Sequence, residues 1–65
     1  MELFNTTGFE VEDKVFVMID DKKYTGIVLK TDSNRNRIKV DYTAKSKEHR
    51  VDWFHKSFWK KENNI

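Results

Sequence analysis

Four short runs of β-branched and aromatic residues, separated by polar or charged gaps, most constrain the fold of this chain. The runs are Lys14–Met18, Lys23–Leu29, Ile38–Tyr42 and Arg50–Phe54. Their residues fit the half-buried surface of a pleated strand, and Asp, Asn, Ser and Thr in the gaps favour turns. Evenly spaced short strands within 65 residues are typical of a small antiparallel barrel.

The sequence therefore predicts an all-β fold, a five-stranded antiparallel barrel with a short 3₁₀ turn before the last strand. Strands are predicted at 14–18, 23–31, 37–42, 49–54 and, briefly, 58–59. The polar segment Asp20–Lys23 is predicted to close a hairpin, and Asp32–Asn36 to connect strands two and three. The segment His55–Phe58 is too short for an ordinary helix and fits one 3₁₀ turn.

Alternation along the strands predicts the core. We expect Val28, Val40, Val51 and Trp53 to be buried, because strand four must supply a large residue to fill the interior. Gly26 would weaken strand two unless a bulge, a bend or a close backbone approach requires it. We interpret Gly26 as a bending device, which lets strand two serve both sides of the barrel.

Composition narrows the kinds of site that the chain can form. Cysteine is absent, so disulfides and thiolate metal sites are excluded. His49, His55 and Asp52 offer at most three ligands at irregular spacing, and neither histidine has a recognisable nucleophile partner. The sequence predicts no metal, no cofactor and no enzymatic activity.

The chain is predicted to hold one domain, at residues 9–60. Residues 1–8 are interpreted as a flexible lead-in and residues 61–65 as a polar tail. Phe4 of the lead-in or Phe9, the first residue of the domain, is expected to fold back over a barrel end. No segment is apolar for long enough to cross a bilayer or resembles a signal peptide. We expect the domain to belong to a larger protein or complex.

Charge is unevenly placed along the chain. Residues 1–32 hold seven acids and four bases, whereas residues 33–65 hold four acids and nine bases. This split indicates a surface for an anionic partner such as DNA or RNA, although a solvated surface explains it equally well. The candidate nucleic-acid residues are Arg35, Arg37, Lys39, Lys45, Lys47 and Arg50, of which Arg37 and Lys39 alternate outward on one strand.

The order of motifs resembles the Tudor and chromo-barrel domains, which are SH3-like barrels of the "Royal" group. The motifs are Tyr24-x-Gly26-x-Val28, Ile38-x-Val40-x-Tyr42 and Val51-x-Trp53, followed by a short turn ending in Phe58. The stretch from Gly26 to Tyr42 is similar to the Tudor domain of Polycomb-like chromatin proteins. The resemblance covers residues 9–60 and implies an SH3-like barrel.

The resemblance also implies a non-catalytic, nuclear, chromatin-associated module that recognises a cationic histone-type peptide, methylated or not. Such domains use an aromatic cage, which attracts a methylammonium group by cation–π interaction. The implied mouth residues are Tyr24, Tyr42 and Trp53, with Met18 or Ile19 at the first-strand cage position and Asp20 attracting the cation. Two alternatives stay open: a nucleic-acid-binding barrel and a protein-docking module, in which Tyr24 and Tyr42 merely cover the barrel end.

Overall fold

The computed structural model describes residues 7–43 and 47–62, which form an all-β fold of five antiparallel strands in one sheet. The strands are β1 (Lys14–Ile19), β2 (Lys22–Asp32), β3 (Arg37–Thr43), β4 (His49–His55) and β5 (Lys60–Lys61). Their order in the sheet is β4-β3-β2-β1-β5. The predicted all-β class and five antiparallel strands are confirmed.

Two finer predictions about the C-terminal part differ from the structure. The closing strand lies at Lys60–Lys61, two residues after the predicted Phe58-Trp59, and Val15 and Phe16 pair with it. The predicted 3₁₀ turn is replaced by a simple turn, in which the Phe58 N–H donates to the His55 carbonyl at 3.0 Å. Among the described residues no ladder joins β4 to β5, so the strand pairing is that of an open sheet.

The β1–β2 hairpin closes through the two-residue loop Asp20-Asp21. Both residues have positive φ, 51° and 63°, as a type I′ hairpin turn requires. Aspartate tolerates this left-handed conformation better than most residues, which explains why two consecutive acids stand at the turn. The loop fixes the register that places Ile19 opposite Lys22.

Gly26 lies at a close approach between β2 and β3, which by itself accounts for a glycine there, and its interpretation as a bending device stays a prediction. A Cβ at this position would lie 2.6 Å from Val40 Cγ1 and 2.9 Å from the Asp41 carbonyl oxygen. The register of β2 against β3 shifts between Val28 and Lys30, a β-bulge that accommodates one extra residue.

The core lies on one face of the sheet, called the inner face here. Its buried residues are Phe9, Val15, Val28, Ile38, Val40 and Trp59, with Val17, Tyr42 and Phe54 packed against them. Phe9 therefore folds onto the core, as predicted, whereas Phe4 lies outside the described residues. The turn before β1 is held to β2 by backbone bonds from the Glu12 N–H to Val28 and from the Val28 N–H to Asp13.

Two predicted core residues lie on the opposite, outer face. Val51 is 45% exposed and Trp53 is 44% exposed, so their assignment to the core is wrong. The cause is the pairing of β4 with β3, which sets Phe54 opposite the buried Ile38 and Trp53 opposite Lys39. Because side chains alternate along a strand, this register turns Phe54 inward and Trp53 outward. Val28 and Val40 are fully buried, as predicted.

Candidate functional site

An aromatic pocket opens on the inner face of the sheet. Its volume is about 190 Å³, which is below the roughly 300–1,000 Å³ of small-molecule sites and suits a single side chain. Strands β1 to β4 and the segment after β4 all contribute to it. The residues that line this aromatic pocket are Val17, Ile19, Tyr24, Tyr42, Phe54, Phe58 and Trp59.

Four of these rings pack against one another, in edge-on, tilted and stacked pairs. Phe54 stacks on Phe58 with centroids 5.1 Å apart, and meets Trp59 and Tyr42 edge-on at 5.5 Å each. Trp59 also contacts Phe58 at 5.7 Å and Tyr42 at 5.9 Å. Aromatic pairs in this range are favourable beyond their buried area, so the cluster is a rigid wall.

Two polar groups belong to the same cluster. The Tyr42 hydroxyl donates a 2.8 Å hydrogen bond to Asp52, whose carboxylate is exposed. This bond, burial and the carboxylate charge raise the pKa of Tyr42 above its ordinary value. The indole Nε1–H of Trp59 is buried and has no hydrogen-bond partner within residues 7–43 and 47–62. The pocket thus combines ring faces, a carboxylate beside Tyr42 and an unused donor on Trp59.

The structure brings together only part of the predicted aromatic mouth. Tyr24 and Tyr42 line the pocket, but Trp53 and Met18 lie on the outer face and Asp20 lies exposed in the hairpin loop. A mouth made of Tyr24, Tyr42 and Trp53 is therefore not formed. Ile19, the alternative to Met18 at the first-strand cage position, lines the pocket. The sequence pattern did not indicate the pocket residues Val17, Phe54, Phe58 and Trp59, of which the last two are consecutive aromatics after a turn, a usable signal.

The predicted basic residues divide between surfaces. Arg37 and Lys39 lie on the outer face, whereas Arg50 pairs with Tyr42 on the inner-face side of β4. Arg35 is exposed in the β2–β3 loop and Lys47 is exposed before β4. Lys45 lies outside the described residues.

A second, more polar cavity of about 360 Å³ lies over the outer face. Asp41 and His49 meet in its lining, with His49 Nδ1 3.5 Å from Asp41 Oδ1. That carboxylate oxygen is buried without a hydrogen bond to the described part of the chain. The cavity is larger than the aromatic pocket but lacks its convergent rings.

His55 contacts a serine that the sequence pattern did not connect with it. His55 Nδ1 lies 2.8 Å from Ser57 Oγ and also accepts the Ser57 backbone N–H at 3.2 Å. These contacts span two residues and close the turn, and no described carboxylate is bonded to this imidazole to complete a triad. The absence of enzymatic activity stays a prediction.

Within the described ranges, no three His, Asp or Glu side chains are grouped so as to hold a metal ion. Nor does any helix in those ranges have the length and apolarity needed to span a membrane.

Comparison with protein-family models, with curated proteins and with solved structures returned no significant match.

Proposed function

We propose that this chain is a non-catalytic binding module whose aromatic pocket takes a cationic side chain of a peptide, with methylated lysine as the best-fitting group. The observation that carries the proposal is the convergence of Tyr24, Tyr42, Phe54, Phe58 and Trp59 on one pocket of side-chain size.

Cation–π attraction is the interaction that such a pocket offers. A cation within about 6 Å of a ring centroid gains roughly 0.5–2 kcal/mol, the larger values applying where water is excluded. Methylation spreads the charge of an ammonium group and weakens its hydration. An apolar aromatic pocket therefore favours the methylated form over the free amine.

The Asp52 carboxylate beside the pocket supports a cationic ligand over a neutral one, although the Arg50 guanidinium, which also acts on Tyr42, partly offsets its charge. Asp52 accepts the Tyr42 hydroxyl bond, and its exposed carboxylate remains able to attract a cation. Tyr42 is neutral at physiological pH, as a tyrosine with the ordinary pKa of about 10 is, and its raised pKa only extends this to higher pH. The ring therefore retains its electron-rich face without adding a second negative charge.

The chromatin context is the finer part of the proposal. An SH3-like barrel of the Tudor or chromo-barrel kind, a histone tail as the peptide and a nuclear location follow from the resemblance of the Tyr24-x-Gly26-x-Val28 and Ile38-x-Val40-x-Tyr42 motifs. The five-stranded antiparallel sheet is compatible with that fold. The pocket itself supports only the recognition of a cationic side chain.

The test is a chemical-shift titration with a trimethyl-lysine histone peptide and with its uncharged tert-butyl analogue, which has the same shape. We expect the charged peptide to bind more tightly, because only the cation gains from the ring faces. Tyr24→Ala should weaken that binding by about 0.5–2 kcal/mol, the range of one cation–π contact.

Phe16→Ala is the matched control, since it removes a ring from the outer face, where Phe16 pairs with Thr25. It should leave peptide binding unchanged. Equal affinity for the charged and neutral peptides, or equal losses in the Tyr24 and Phe16 variants, would contradict a cation-binding pocket.

A further inference from the structure

Trp53 is a large aromatic side chain on a face that no other part of the described chain covers. It is 44% exposed, and its strand neighbour two residues away, Val51, is 45% exposed. Ile27 and Leu29 of β2, at 36% and 38%, extend the apolar area across the sheet. Exposed apolar residues gathered on one face, in contrast to scattered ones, mark interaction sites.

Cations surround this tryptophan. Lys39 lies directly opposite Trp53 on β3 and is itself opposite Lys30 on β2, and Arg37 follows on the same face. The structure gives Lys30, Arg37 and Lys39 no ion-pair partner among residues 7–43 and 47–62. Three adjacent unpaired cations form a positive field beside the exposed ring.

On this face β2 to β4 carry two carboxylates against the three cations: Asp32 lies directly opposite Arg37, and Asp41 lies two residues along β3 from Lys39. Asp32 Oδ1 accepts the Arg35 backbone N–H at 3.3 Å, and Asp41 lies within 3.5 Å of His49. The positive charge around Trp53 is therefore only partly neutralised, and the face suits a ligand that has aromatic surfaces and negative charge together.

We propose that the outer face around Trp53 binds single-stranded nucleic acid, with a base stacked on the indole and the phosphates beside Lys30, Arg37 and Lys39. Stacking platforms of this kind combine an exposed aromatic ring with lysine and arginine along the backbone path. Only an unpaired base offers a free face to an indole, because the bases of a duplex are stacked on one another. The aromatic pocket on the inner face plays no part in this site.

The experiment measures the affinity of the full chain for a fluorescent oligothymidylate of about 12 nucleotides by anisotropy, at several salt concentrations. Trp53→Ala should weaken binding at least about fivefold, since one base–aromatic stack contributes roughly 1–3 kcal/mol. Trp53→Phe should retain most of the affinity, because a smaller ring still stacks. An oligouridylate and a matched duplex are measured in parallel, to separate RNA, single-stranded DNA and double-stranded DNA.

Lys39→Glu is the second test variant, and Lys22→Glu is its matched control. Both make the same change in net charge, but Lys22 pairs with Ile19 on the inner-face side. We expect Lys39→Glu to weaken binding. It should also make the plot of log affinity against log salt concentration less steep, by about 1 for each phosphate that the side chain no longer neutralises. Lys22→Glu should leave affinity and slope close to those of the unaltered chain.

Three results would overturn the proposal: no binding at low salt, equal losses in the two lysine variants, or preferred duplex binding that Trp53→Ala leaves intact. Self-association that Trp53→Ala abolishes, in a chain that binds no oligonucleotide, would likewise overturn it and assign the face to a second copy.

Discussion

The two tryptophans show how strongly one residue's environment decides its role. Trp59 is 3% exposed and touches three other rings, whereas Trp53 is 44% exposed. Truncating a buried tryptophan costs about 3–5 kcal/mol, a large part of the roughly 3–10 kcal/mol expected for a domain of this size. Trp59 therefore contributes to stability and to the pocket, whereas Trp53 is available for contacts outside the chain.

Tyr42 links stability to pH, because its pKa in the folded chain is raised by the bond to Asp52, by burial and by that carboxylate's charge. The folded chain holds this proton more tightly than the unfolded chain does. The stabilisation is therefore fully present below the ordinary tyrosine value of about 10 and is lost as pH rises through the higher folded value.

Tyr42→Phe removes the donor to Asp52 and should lower the free energy of unfolding at pH 7 by about 0.5–1.5 kcal/mol. It should also reduce the alkaline fall in stability, measured by urea unfolding between neutral pH and pH values above about 10. Tyr24→Phe is the control, because it leaves the Tyr42–Asp52 bond in place and should retain the fall. Identical alkaline curves for the unaltered chain and Tyr42→Phe would contradict this linkage.

At the level of elements, the sequence was sufficient to predict the first four strands but not to predict which face of β4 is buried. Valine, isoleucine and aromatic runs between Asp- and Asn-rich turns mark strands, and all four begin and end within about a residue of their predicted positions. In β4, however, Val51 and Trp53 alternate on one face and Phe54 lies on the other. Because apolar residues lie on both faces of β4, the sequence alone does not show which face is buried. The pairing of Phe54 with Ile38 determines it.

The close approach of β2 and β3 at Gly26 gives a prediction about packing. Gly26→Ala would place a methyl group 2.6 Å from Val40 Cγ1 and 2.9 Å from the Asp41 carbonyl oxygen, and a backbone atom cannot move aside without parting the strands. We expect the free energy of unfolding to fall by about 1–3 kcal/mol, as for other overpacked cores. The fall in stability is measured by thermal melting. Thr25→Ala, at an exposed position one residue away, is the control, and its free energy of unfolding should stay within about 0.5 kcal/mol of that of the unaltered chain.

If Gly26→Ala melted at the same temperature as Thr25→Ala, the close approach of β2 and β3 would be contradicted, and the glycine would need another explanation.

At the scale of the whole molecule, the sheet separates two surfaces of different chemistry. The inner face holds the aromatic pocket beside Asp52, and the outer face holds Trp53 with Lys30, Arg37 and Lys39. The sequence predicted Tyr24 and Tyr42 as pocket residues and a basic stripe that included Arg37 and Lys39. The sequence could not predict which of these residues lie on which face. The inward-facing side chains of β4 and the burial of Trp59 in the core both depend on contacts between segments that are distant in the sequence.

If each face of the sheet binds its own class of ligand, the indole N–H signals of Trp59 and Trp53 report on the two faces separately. The measurement is a pair of titrations of the ¹⁵N-labelled chain, one with trimethyl-lysine peptide and one with oligothymidylate. We expect the peptide to shift the Trp59 indole signal and to leave that of Trp53 unchanged, and the oligonucleotide to do the reverse. A shift of the same indole by both ligands, or of neither by either ligand, would contradict this expectation.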